Sequence, residues 1–333
     1  MDLQARLDEL AAPLRADVLS GASEVAARAA EIIRVAALEL PATSRDELRA
    51  ALGALVVRLL EAQPSMAPLL MLARGVLAPL EGGPGAPSTI EGARRAAAAA
   101  AEAFRNGLRM RTRRVAERAT RILPGGGLVP AGGLVGTVSS SATVRAALLL
   151  HAGYRAKEAP GERMSVLCFE SRPLSEGRML ARALSEAGVA VTYAVDAAMH
   201  VLASTCHVVV LGADSIGDRG VVNKIGSAAL AHAARAANVP VYVLADETKI
   251  LPSEVPQPLD DHRPADEVWA APPPGVSAWN HYFETVPLDL VTGVVTESGV
   301  LRPDELEHVR SGMDLPDKLR AWAEGRARPA PYP

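Results

Sequence analysis

The first 120 or so residues place apolar and charged positions at helical spacing. Between residues 20 and 40, Val25, Ala26, Ala29, Ile32, Ile33, Ala36 and Ala37 recur three and four apart, with Glu24, Arg28, Glu31 and Arg34 between them. That is the stripe of a helix with one face on a core. Pro41 ends it. Ser44 followed by Glu47 forms a capping box that opens a second helix through Leu59 and Leu60. Pro64 and Pro68 bracket a short helical connection, and residues 81–87 read as a Gly/Pro turn. Residues 90–121 are rich in Ala and Arg and almost free of β-branched side chains, which predicts a long helix. The pattern requires no strand before about residue 130.

Beyond a punctuated stretch of Pro124, Gly125, Gly126, Gly127, Pro130, Gly132 and Gly133, the pattern changes. Short apolar runs at 134–138, 164–169, 189–195, 207–211, 239–244 and 290–295 alternate with helical patterns at 141–150, 176–187, 197–203 and 227–237. Near-continuous apolar strands separated by helices predict a parallel sheet covered on both faces. Residues 252–278 are proline-rich and read as an excursion over the surface, a short helix follows Arg302, and residues 327–333 read as a frayed tail. The fold class is therefore α/β, with a helical domain at 1–125 and a sheet domain at 126–333, in keeping with a length of 333 residues.

Composition narrows the function classes. Lys plus Arg is 35 against 38 Asp plus Glu, so no global basic footprint for nucleic acid exists. Cys168 and Cys206 supply neither a disulfide framework nor a metal-ligand spacing, and the seven histidines show none either, so neither metal nor cofactor is expected. The start of the chain, with Asp2, Arg6, Asp8 and Glu9, reads as an amphipathic helix rather than a leader. The expectation is a soluble cytoplasmic protein with no membrane partner.

In an open parallel sheet, ligands bind beyond the carboxyl ends of the strands. Ser139, Ser140 and Ser141 lie there after the first strand, offering hydroxyls and free N–H groups to an anion, or simply an N-cap. Arg172, in Glu170-Ser171-Arg172-Pro173, presents a donor fork suited to phosphate, or a surface partner for Glu170. Asp196 closes the third strand and could take a sugar hydroxyl or cap the following helix. Asp214 ends the fourth, and Asn223 and Lys224 return across a Gly-rich turn, where the three could converge on a phosphorylated polyol or hold only the turn. Lys224 is one of only four lysines, so it is not compositional background. Asp246, Glu247, Thr248 and Lys249 could form one wall. Cys168 reads as buried and inert, and Cys206 as lying on the opposite edge of the sheet.

Taken in order, Glu170-Ser171-Arg172-Pro173 with Glu176-Gly177, Asp196-Ala197, Gly212-Ala213-Asp214, Asn223-Lys224-Ile225-Gly226, Phe283-Glu284-x-Val286-Pro287 and Thr296-Glu297-x-Gly299-Val300-Leu301 resemble a known family. It contains the regulatory alpha, beta and delta subunits of translation initiation factor 2B together with methylthioribose-1-phosphate and ribose-1,5-bisphosphate isomerases. Gly21-Ala22-x-Glu24-Val25-Ala26 and Gln63-Pro64-Ser65-Met66-Ala67-Pro68 are similar to its helical domain. The resemblance implies a Rossmann-like second domain, dimers and sometimes hexamers, and a pocket for a phosphorylated sugar or nucleotide between the domains. It also implies that the catalytic aspartate of the isomerases corresponds to Asp214, that their Asn-Lys pair is Asn223 and Lys224, that their cysteine position holds Val138, and that an arginine of their helical domain is Gln63.

Aldose–ketose isomerisation moves a proton between adjacent carbons and needs a tuned acid and base. Val138 can supply neither. The expectation is an initiation-factor-2B-like protein that binds a phosphorylated sugar or nucleoside monophosphate without catalysis. An active phosphopentose isomerase using Asp214 is the alternative, and an interaction protein with a vestigial pocket the second alternative; a role in translation would rest on analogy alone.

Overall fold

The structure, a computed structural model, describes residues 3–17, 20–82, 85–159, 163–257 and 263–326. The tail at 327–333 lies outside them. Two compact units form: one takes in Met1–Met110, Thr248–Pro258 and Val309–Pro333, the other Arg111–Glu247 and Leu259–His308.

The first unit is helical. Helices α1 (Leu3–Arg15), α2 (Ala22–Glu39), α3 (Arg45–Ala62) and α4 (Ala67–Leu77) pack on one another. The faces they bury are those their spacing marks out: Leu7, Ala11 and Leu14 in α1, and Val25, Ala26, Ala29, Ile33, Ala36 and Ala37 in α2. Ser44 accepts from the Glu47 N–H at 3.2 Å, and Glu47 reaches back to the Thr43 N–H and hydroxyl, so the cap at the start of α3 forms with Thr43 as its second partner. The connection expected at 64–68 is instead the start of a full helix. Pro68 sits in the first turn of α4, where a missing N–H costs nothing. Helix α5 (Ile90–Ala119) is 30 residues long, as its Ala-rich composition requires.

The second unit holds the sheet. Its elements are β1 (Leu134–Val138), α6 (Ala142–Glu158), β2 (Ser165–Phe169), α7 (Gly177–Glu186), β3 (Ala190–Ala194), a short α8 (Met199–Leu202), β4 (Val208–Leu211), β5 (Ser215–Gly217), β6 (Gly220–Lys224), α9 (Ser227–Ala236), β7 (Val241–Leu244), β8 (Phe283–Val286), β9 (Gly293–Val295) and β10 (Val300–Leu301). Helix α10 (Pro303–Ser311) follows, and a further helix that the pattern does not predict, α11 (Asp317–Glu324), belongs to the first unit, where it packs on α3 and α4.

The main sheet runs β10-β9-β7-β4-β1-β2-β3, parallel except for β10, and helices cover both faces. Its buried strands are the apolar runs, with Val208, Val209, Val210 and Leu211 all inaccessible. The chain moves one way from β1 to β2 and β3, then crosses to β4 on β1's other side, so the switch point lies between β1 and β4. The turn expected at 217–220 is the tip of a hairpin: β5 and β6 pair, β6 pairs with β8, and the three form a separate antiparallel sheet. Strands of three and five residues, with Gly217, Asp218, Arg219 and Gly220 at their junction, carry too little alternation to be read from the sequence. Among the described residues no helix is long and apolar enough to cross a membrane.

His151 lies inside the core of this unit. Its Nε2–H donates to the Pro124 carbonyl at 2.8 Å, while its Nδ1 is buried with no partner among the described residues. Burial holds its pKa below the usual imidazole value, against the opposing pull of that carbonyl. The unfolded chain therefore takes up the proton first. The His151 contribution to stability is complete above the ordinary imidazole pKa and is lost as pH falls below it. As pH falls below the ordinary imidazole pKa of about 6.5, the urea-unfolding free energy is expected to decline through this group. His151→Gln should flatten that part of the curve; an unchanged slope would remove His151 as its source.

Candidate functional site

The first two strands of the sheet end in turns whose backbones leave the usual regions. Ser139 follows β1 at φ 66°, and Ser171 and Ser175 follow β2 at φ 61° and 55°. Non-glycine residues in the left-handed region cost roughly 1–3 kcal/mol each and persist where the surroundings enforce them.

One enforcing contact is a carboxylate clamp. Asp196, just beyond β3, accepts the Ser171 N–H at 2.8 Å on one oxygen and the Arg172 N–H at 2.7 Å on the other. The residue neither caps a helix nor faces outward; it positions the neighbouring turn. The Arg172–Pro173 peptide in that turn is cis. The Arg172 guanidinium is exposed and donates to the Pro173 carbonyl at 3.3 Å, and among the described residues it pairs with no carboxylate, Glu170 included.

The turn then brings Glu176 inward. Gly177 makes this possible, because a Cβ there would lie 2.2 Å from the Phe169 carbonyl oxygen. Glu176 accepts the Ser139 hydroxyl at 3.1 Å and pairs with Lys224 Nζ at 3.0 Å, with only 10% and 12% of the Glu176 and Lys224 side chains exposed. The ammonium also lies over the Tyr282 and Phe283 rings, 4.9 and 4.6 Å from their centres. Three turns from separate parts of the chain thus meet on one ion pair.

Beside it, Ser141 accepts the Val144 N–H and caps α6. A Cβ on Gly212, at the end of β4, would lie 2.6 Å from the Ser141 hydroxyl and 3.5 Å from Asn223 Oδ1, so both side chains converge where Gly212 leaves room. Asn223 donates to Ser227 at 2.8 Å, which donates to the Lys224 carbonyl at 2.6 Å. Asp214 is buried at the head of the hairpin, its N–H on the Val222 carbonyl. Ser140 is half-buried. Val138 is buried and lies near Gly226 and Met199.

Ser139, Glu176 and Lys224 are therefore joined directly, Ser141 and Asn223 abut each other, and Asp196 acts on the Arg172 backbone rather than beside its charge. Glu176 was not among the expected site residues, although its place six residues after Glu170 and just before an obligatory glycine marks it. Glu284 is a second such residue. It accepts the Ala228 N–H at 2.8 Å and faces the N–H groups of Gly226 and Ser227, holding the start of α9. Burial raises its pKa, opposed by those N–H groups.

Neither cysteine can supply a thiolate. Burial, with Asp196 adding to it, pushes the Cys168 thiol up to about 12, and burial pushes Cys206 to about 11. Cys168 Sγ faces the Gly177 carbonyl at 3.4 Å. Among the described residues no group of three or more His, Cys, Asp or Glu is placed to hold a metal.

This arrangement on a doubly wound sheet defines an α/β protein of known lineage. Residues 18–303 match the Initiation factor 2 subunit family, and the chain belongs to it. It is 39% identical over 151 residues to the methylthioribose-1-phosphate isomerase of Gemmatimonas aurantiaca, covering 44% of this chain and 44% of that one. It is 36% identical over 151 residues to the ribose 1,5-bisphosphate isomerase of Archaeoglobus fulgidus, covering 43% and 48%. The chain spans about half the length of the curated relatives it matches. Its fold superposes on a Pyrococcus horikoshii translation initiation factor eIF-2B with a TM-score of 0.73 at 27% identity, covering 90% of this chain and 97% of that one.

Removing one member of the buried pair strands the other. Glu176→Gln and Lys224→Met are each expected to cost about 3–5 kcal/mol, whereas the double variant should recover most of that loss. Urea unfolding in a double-mutant cycle measures it, and additive losses would show that the two charges do not depend on each other. Asp196→Ala removes two charge-assisted hydrogen bonds and should cost about 3 kcal/mol or more. Arg172→Ala, exposed and paired only with a carbonyl, should cost under about 0.5 kcal/mol.

Proposed function

We propose that the chain binds a phosphorylated sugar or nucleoside monophosphate at the turns after β1, β2 and β4, and does not convert it. The Ser139–Glu176–Lys224 arrangement carries this reading. Lys224 Nζ has three N–H donors, of which Glu176 uses one, so the rest of the ammonium is available to a phosphate. Glu176 is an acceptor suited to sugar hydroxyls, and Asn223 and Ser141 add neutral donors and acceptors beside it. Asp214 borders the same switch point, and Arg172 stands exposed on the turn that delivers Glu176.

Turnover lacks a proton-transfer group. The position that corresponds to the isomerases' cysteine is Val138, and the chain's two thiols are held neutral by burial. Removing such a group costs roughly 10²- to 10⁴-fold in rate. The retained Asp214 and Asn223–Lys224 pair support the second reading, an isomerase acting on a phosphopentose. By family analogy the binding form is a homodimer, with a hexamer as the larger assembly.

Thermal unfolding with ribose 1,5-bisphosphate, methylthioribose 1-phosphate and AMP tests the binding. At a ligand concentration about 100 times Kd, stabilisation of about 2.7 kcal/mol is expected for at least one of them, and Lys224→Met should abolish it. No stabilisation by any of the three would overturn binding of these ligands. NMR of the recovered ligand decides between the two readings: unchanged ligand supports binding alone, and a ketose product establishes the isomerase.

A further inference from the structure

A second set of cationic side chains lies away from this site, on the last turns of α5 and the residue pair after its end. Arg111, Arg114, Arg118 and Arg121 recur at intervals of three, four and three, which places them on one helical face. Arg114, Arg118 and Arg121, with Glu117 and Glu297, line a cavity of about 400 Å³. That volume is within the range of small-molecule sites, about 300–1,000 Å³. Glu297 follows β9, so the cavity opens at the carboxyl ends of the strands, on the β9 side of the sheet rather than at the β1–β4 switch point.

The charges in this cavity are not balanced by its own acids. Glu117 is taken by Arg113 at 2.8 Å, and Glu297 by Arg111 at 3.4 Å and by the Glu247 N–H at 2.9 Å. Arg118 uses Nε on the Glu297 carbonyl at 2.8 Å, which leaves its terminal nitrogens. Among the described residues the guanidinium groups of Arg114 and Arg121 have no hydrogen-bond or ion-pair partner. A basic residue in the last turn offsets the helix dipole. That accounts for Arg118, but not for three guanidiniums around one concavity.

We propose that this cavity is a binding site for an oligophosphate group, distinct from the sugar-phosphate site. Arg binds phosphate bidentately through its planar fork. Arg114 and Arg118 are offset by about 6 Å along the axis, and Arg121 carries the row past the helix end, so the set matches a chain of phosphates better than a single one. Glu117 and Glu297 also line the cavity and offer an anion nothing, which restricts the ligand to the arginine side.

Isothermal titration of the full chain with inorganic tripolyphosphate, ATP and inorganic phosphate tests this. Saturable binding of tripolyphosphate is expected, with inorganic phosphate at least about tenfold weaker, and Arg114→Gln/Arg121→Gln should weaken tripolyphosphate at least about tenfold. Both positions are exposed, so the variant keeps its fold, which circular dichroism checks. ATP binding as tightly as tripolyphosphate identifies the phosphates alone as the ligand, and tighter ATP binding adds a nucleoside contact; either supports the site. No saturable heat with tripolyphosphate, or equal affinity in the double variant, overturns it, and neither result bears on Lys224-dependent binding of sugar phosphates.

Discussion

The Glu176–Lys224 pair is the contact on which the site's geometry depends. It joins the turn after β2 to the end of β6, and through the Ser139 hydroxyl it reaches the turn after β1. Taking two charges out of water is costly, and a buried pair is stable only where further partners complete it. Ser139 adds a hydrogen bond to the carboxylate, and two aromatic faces flank the ammonium without taking up its other N–H donors. The second sheet matters for the same reason. Without β6 paired to both β5 and β8, Lys224 would sit on a free loop and its charge would have no fixed position.

Most of the architecture was legible from pattern alone. The strand at Leu134–Val138 has the predicted bounds, and the other five runs contain β2, β3, β4, β7 and β9. Continuous apolar runs report burial on both faces, which β1, β2, β4, β7 and β9 experience, whereas the run at 189–195 forms the edge strand β3 and is largely exposed, with Tyr193 in the open. The three-stranded sheet was not legible. Ser215–Gly217 has two polar or glycine positions of three, and Phe283–Val286 carries Glu284 in its interior, because its partner there is the start of α9 rather than solvent. The helix at 67–77 is equally hard to read: Pro64 and Pro68 look like breakers, and only the place of Pro68 in the first turn makes it compatible with a helix.

The site was legible in part, for a related reason. Its turns could be placed because strand ends are predictable, but which side chain points inward depends on backbone conformations that sequence does not announce. Serine at positive φ is uncommon, so Ser139 and Ser171 gave no sign of the direction they impose. Glu176 reads as an ordinary helix-start acid until Gly177 is seen pressed against a strand carbonyl. Arg114 and Arg121 read as a solvated helical face, since nothing in a helical repeat reveals that a strand end stands opposite it.

The Asp196 clamp separates the shape of a loop from the chemistry it displays. Because one carboxylate from the next strand grips two main-chain amides, the course of the Ser171–Arg172 turn is independent of the side chain at 172. Evolution can exchange that residue for one of different charge or size and keep the surrounding framework intact. A framework held this way leaves position 172 open to change of charge or size while the scaffold beneath it stays still.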